Sequence, residues 1–111
     1  MKKLTFACAG LLLFFSAAVF SAEGSKAALE HANAAVTEGK AGKPDALVVH
    51  AKLAMENTLA AAITAKSIPK GHLEAAAKEL QEAIDSGNLG QADVATKHAE
   101  AAVEHIKASN K

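Results

Sequence analysis

The chain has 111 residues, the length of one domain, with 12 Lys, no Arg, 12 acidic residues and 5 His. All four Phe (Phe6, Phe14, Phe15, Phe20) and the single Cys, Cys8, lie in the first twenty positions, so Phe, Tyr, Trp and Cys are absent from Glu23 onward. That part of the chain, with 10 Lys against 12 acidic residues, excludes a disulfide scaffold, a thiolate metal site, an aromatic nucleic-acid platform and a basic phosphate-tracking patch.

The first element is an address rather than a fold. Met1-Lys2-Lys3 is a positive start, Leu4 to Phe20 is an apolar run broken by Gly10 and Ser16, and small residues follow at Ser21 and Ala22. This is the layout of a cleaved secretory signal over residues 1–22. Cleavage after Ser21 places Val19 and Ser21 at the small-residue positions, whereas cleavage after Ala22 places bulky Phe20 there. A retained anchor is the competing reading, because the run reaches the lower limit for crossing a bilayer. The remaining domain, 23–111, is expected in the bacterial periplasm, with no stable membrane association after cleavage and no affinity for nucleic acid.

Four helices are expected next. Ala, Leu, Glu, Lys and Gln dominate, and all are strong helix formers. Pro44 and Pro69 stand where helices can begin. Gly39 and Gly42, then Gly87 and Gly90, mark two stops with the same spacing. The pattern predicts helices over Ser25–Glu38, Pro44–Lys66, Pro69–Ser86 and Gln91–Ser109, with reversals at Gly39–Lys43, Ser67–Ile68 and Gly87–Gly90. Short connections favour antiparallel neighbours.

A shift of 48 residues superimposes Gly39, Gly42, Asp45 and His50 on Gly87, Gly90, Asp93 and His98. The simplest reading is a duplicated helical hairpin, hence an all-α antiparallel four-helix bundle. On a helical wheel Ala95, Ala99, Ala102, Val103 and Ile106 share one face of the last helix, and Asp93, Lys97, Glu100, Glu104 and Lys107 lie opposite. A core stripe made mostly of Ala lets helices approach closely while burying little area per residue.

Footholds for catalysis are missing, so the chain is not expected to be an enzyme. Ser25, Ser67, Ser86 and Ser109 sit near helix ends, where capping and turn roles explain them. The pairs Glu79/Glu82 and Glu100/Glu104 read as solvated helix faces. A b-type haem ligated by Met55 and a His lacks the bulky apolar walls such a pocket needs.

Five histidines remain: His31, His50, His72, His98 and His105. His98 and His105 are seven residues apart, as are His31 and Glu38, and His72 and Glu79. Seven residues advance a helix about 10.5 Å, too far for two such side chains to chelate one ion alone. Either these are surface histidines, or each contributes to a site that a neighbouring helix completes. Imidazole with carboxylate suits Cu(II), Ni(II) and Zn(II).

The segment Val94-Ala-Thr-Lys-His98-Ala-Glu-Ala-Ala-Val-Glu-His105-Ile-Lys-Ala-Ser109 resembles the closing helix of the small metal-binding protein family, exported His-rich helical proteins associated with ammonia-oxidising bacteria. The likeness extends through Ala46-Leu-Val-Val-His50-Ala-Lys and Leu29-Glu-His31-Ala-Asn-Ala-Ala-Val-Thr-Glu-Gly39. It implies a four-helix bundle binding divalent metals, copper prominently, with His31, His50, His72, His98 and His105 as ligands. The chain departs from the family by its lower His content, with Asn57 and Ala75 at matching positions, so one or two sites are expected. Two functions follow as expectations: a periplasmic protein that buffers or carries divalent metal, copper foremost and nickel or zinc next, or a metal-independent helical bundle with a structural or interaction role. The sequence identifies no protein partner.

Overall fold

A computed structural model describes residues 23–111; the leader expected over residues 1–22, with Cys8, lies outside the described residues. Four helices follow one another: α1 (Glu23–Lys40), α2 (Pro44–Thr64), α3 (Ser67–Asn88) and α4 (Ala92–Ser109). Each helix packs against its chain neighbour, α1 also packs against α4, and α2 meets α4 only slightly across the diagonal. The contacts run antiparallel: Gly39 and His31 on α1 face Leu47 and His50 on α2, while His98 and His105 on α4 face Glu79 and His72 on α3. The result is an up-down-up-down bundle, 44 × 29 × 18 Å.

The core is built from the expected small residues. Ala28, Ala32, Ala35, Ala51, Ala54, Ala76, Ala83, Ala95, Ala99 and Ala102 are all fully buried, with Leu47, Leu80 and Ile106 as the largest apolar fillers. The α4 face predicted from periodicity is the buried face, and Asp93, Lys97, Glu100, Glu104 and Lys107 are exposed. Alanine needs no side-chain ordering and lets helix axes approach, so strong helix propensity offsets the small apolar area of each side chain. A smaller apolar cluster of Ala61, Ala62 and Leu73 closes the bundle end at the α2–α3 reversal.

The two glycines of each Gly-x-x-Gly divide their roles, which corrects the reading of both as stops. Gly39 and Gly87 lie inside helices. A Cβ on Gly39 would collide with Thr96 Oγ1 on α4 and Leu47 Cδ1 on α2, and one on Gly87 would stand 2.5 Å from Val48 Cγ2. These glycines permit close helix contact. The reversals depend on Gly42 and Gly90, at φ 76° and 78°. At each, the next residue's N–H bonds five residues back, Lys43 to Glu38 O at 2.9 Å and Gln91 to Ser86 O at 3.0 Å, while the glycine's own N–H bonds three back. This is the Schellman ending, which satisfies the last carbonyls of a helix.

The third reversal also differs from expectation. It occupies Ala65 and Lys66, and Ser67 and Ile68 already belong to α3, so Pro69 is the third residue of that helix. Proline is tolerated throughout a first turn, where N–H groups lack intrahelical partners, so its presence marked the region but not the first residue. Ser67 enters the helix at φ 53°. Pro44 does start α2. That helix is long and apolar enough to cross a bilayer by length and composition, yet half of its apolar window is buried inside the bundle.

Candidate metal centre

The five histidines fall into three groups, each spanning the two helices of one hairpin. His31 on α1 meets His50 on α2 with ring centroids 6.1 Å apart. His72 on α3 meets His105 on α4, also at 6.1 Å. His98 on α4 reaches Glu79 and Glu82 on α3. The seven-residue step separates His98 from His105 as expected, and α3 supplies a different partner to each.

The His98 group is the candidate metal site among the described residues, three side chains close enough to hold one ion. The Nδ1–H of His98 donates to Glu79 Oε1 at 2.8 Å, and Glu82 Oε1 lies 3.3 Å from the same nitrogen. One ligand atom from each of the three residues falls within 4.8 Å of the other two. Around one ion with bonds of about 2.0–2.1 Å, neighbouring tetrahedral ligands stand about 3.3 Å apart. The three atoms therefore need only small side-chain adjustments to surround an ion that takes the place of the Nδ1 proton. Two carboxylates with a neutral imidazole carry formal charge −2, which balances a divalent cation. The side chains keep 31 %, 29 % and 46 % of their exposure for His98, Glu79 and Glu82, so water has access to complete the coordination.

Local structure explains the convergence. Glu79 and Glu82 are three residues apart on α3 and so share one face. His98 sits on the edge of the α4 stripe, beside fully buried Ala99 and Ala95, and therefore points along the α3–α4 seam instead of outward. Glu79 and Glu82 are partly buried, which corrects their reading as a solvated face. The pairing of Glu79 with His72 on one helix gives way to a pairing across the hairpin. Glu104 lies exposed on the outer side of α4.

The His31–His50 group is different in kind. Both residues are buried, 7 % and 6 % exposed. Burial lowers the pKa of both below the usual 6.5; at His31 the His50 ring adds to the lowering and Glu30 partly opposes it, and at His50 Glu38 partly opposes it. Among the described residues, Nδ1 of His50 is buried without a hydrogen-bond partner, a costly state for a polar atom. His72 and His105 are half-buried and keep access to solvent. Asn57, in the position that corresponds to His105 under the 48-residue shift, is buried and donates from Nδ2 to Leu53 O at 2.9 Å.

Comparison with known proteins agrees with this chemistry. A family model described as "small metal-binding protein" matches residues 1–109. A search of curated proteins returns no match to the chain.

Proposed function

Because the chain belongs to the small metal-binding protein family, we propose that it buffers or carries divalent transition metal in the periplasm, with Glu79, Glu82 and His98 as its principal site. The observation that carries this reading is the convergence of two carboxylates and one imidazole across the α3–α4 seam. Cu(II) is the preferred ion, since nitrogen and oxygen sites bind it most strongly among the divalent first-row metals, with Ni(II) and Zn(II) following. The role is binding, not catalysis, and the apolar leader supports export.

The residues divide the work. His98 supplies the Nδ1 lone pair of its neutral ring with the ring proton carried on Nε2, so protons compete with the ion for this nitrogen. Glu79 and Glu82 supply charge and oxygen donors. Their partial exposure keeps the ion exchangeable, as a carrier requires. His72 and His105 offer a second, weaker divalent position of two imidazoles with solvent access.

The test is a titration of the full chain with Cu(II), Ni(II) and Zn(II) at pH 7.5, beside His98→Ala and the double variant Glu79→Gln with Glu82→Gln. Each variant is expected to lose the tightest site while its helical circular dichroism is unchanged. Equal stoichiometry and affinity in parent and variants would overturn the assignment, and absence of binding in the parent would favour a structural or interaction role.

A further inference from the structure

We propose that the outer face of α2 binds a second copy of this chain, forming a two-fold dimer through antiparallel α2 helices. The contact holds no metal, and the inference does not rest on the proposed function.

Asp45, Val49, Lys52, Glu56, Leu59 and Ile63 form one exposed stripe along α2. Their spacing alternates four and three residues, the step of a coiled-coil seam. The stripe is apolar for a solvated face, with Val49 56 %, Leu59 48 % and Ile63 78 % exposed. The last helix supplies an internal comparison. The 48-residue shift puts Val49, Leu59 and Ile63 on Lys97, Lys107 and Lys111, and Lys52 and Glu56 on Glu100 and Glu104. Along α4 and just beyond it, the same outer positions are therefore charged throughout, and all are exposed. Only α2 presents large apolar side chains there. The register then selects the partner. About a two-fold axis level with Ala54, Val49 meets the partner's Leu59, Lys52 meets the partner's Glu56 and, outermost, Asp45 meets the partner's Ile63. Among the described residues neither Lys52 nor Glu56 has an ion-pair partner within the chain, so both charges are available across the axis. The same operation on α4 sets Lys97 against the partner's Lys107 and Glu100 against the partner's Glu104, like charges that reject the pairing. A charged central rung also fixes the register, as single polar positions do in coiled-coil seams. One seam of six positions per copy lies at the small end of specific interfaces, so the dimer is weak and concentration-dependent.

The test is sedimentation equilibrium of residues 23–111, which form the whole bundle and its core, followed by interference because they hold no Trp or Tyr. Leaving out residues 1–22 removes an apolar segment able to associate by itself. With a chelator present to exclude metal bridging, the mass should rise from monomer toward dimer between about 10 µM and about 1 mM. Val49→Lys with Leu59→Lys, the residues α4 carries at those positions, should weaken association by more than about tenfold. Its helical circular dichroism should be unchanged, because both sites are exposed. Lys52→Glu and Glu56→Lys should each abolish self-association by setting like charges on the central rung. An equimolar mixture of these two variants should pair again, since opposite charges then meet across the axis. A parent that stays monomeric at about 1 mM overturns the proposal, including the case in which the same face instead binds phosphatidylglycerol vesicles. So does a dimer that survives Val49→Lys with Leu59→Lys, or a mixture of the charge variants that stays apart.

Discussion

The two hairpins use the same fold to make opposite environments for histidine. In the first, His31 and His50 face each other in a buried seam beside small alanines, with Glu30 and Glu38 acting on the rings from nearby. In the second, His98 meets two carboxylates at a half-exposed seam, and His72 faces His105 at the same 6.1 Å separation but with solvent access. The backbone spacing alone therefore does not set the chemistry. What differs is the neighbouring helix: α3 presents Glu79 and Glu82 to His98, whereas among the described residues Nδ1 of His50 on α2 has no hydrogen-bond partner and Glu38 acts on the ring only from a distance. A ligand's class follows from what faces it across the hairpin.

The largest expected effect that sharpens this contrast is on divalent affinity. Removing His98 or both carboxylates should weaken Cu(II) by about 100-fold or more, because a direct ligand matters at least as much as an outer hydrogen bond, while His50→Phe leaves Cu(II) affinity unchanged. In the same experiment chelation of the metal should lower the melting temperature without melting the helices. An ion at 100 times its dissociation constant stabilises by about 2.7 kcal/mol, or about 11–22 °C for a domain of this size. Isothermal calorimetry and thermal circular dichroism measure both.

A second effect separates the hairpins by pH. Burial holds His31 and His50 below 6.5 in the folded chain, while the unfolded chain titrates near its ordinary value. The unfolded state then binds more protons, so the stability from keeping these rings neutral is complete above pH 6.5 and is lost as pH falls through 6.5 toward the lowered folded values. Metal-free protein should show a falling melting temperature between pH 7.5 and 5, and His50→Phe should flatten that fall. An unchanged slope would place the acid-sensitive groups elsewhere.

Glycine substitutions test how the two hairpins dock. Gly39→Ala and Gly87→Ala place a methyl against Thr96 and Leu47, or against Val48, and should each cost about 1–3 kcal/mol by overpacking. Gly71→Ala, inside α3 with open space around it, should stabilise by about 0.5–1 kcal/mol through helix propensity. Urea denaturation resolves the difference in sign. The smallest effect belongs to Lys40→Ala, which removes the exposed 3.5 Å pair with Glu100 between α1 and α4 and should change stability by less than about 0.5 kcal/mol.

The bundle was legible in the sequence because helix formers, periodic alanines and two glycine pairs agree at every level. The inward stripe of α4 followed from a 100° step alone. The third reversal was misplaced because Pro69 is compatible with any of the first helical positions, and no glycine marks Ala65–Lys66. The site was less legible for a related reason. Which α3 residue meets His98 depends on the antiparallel register, and that is set by the Schellman turn at Gly90 and the length of the loop after it. A shift of one residue would have brought Lys78 and Gln81 to His98 instead. The spacing Glu79-x-x-Glu82 was the available signal, but Glu at i and i+3 is equally common on solvated faces. The His31–His50 contact was hidden similarly, since nothing in the sequence around either residue names the other.

The most direct test of the central claim counts imidazoles on the first copper bound. With less than one equivalent of Cu(II) at pH 7.5, pulsed electron paramagnetic resonance reports the number of histidine rings coordinating the ion through their remote nitrogens. The His98–Glu79–Glu82 site predicts one imidazole with oxygen donors, and a signal lost in His98→Ala. Two imidazoles on that first ion, with the signal retained in His98→Ala, would assign the tightest divalent site to a histidine pair and contradict the account.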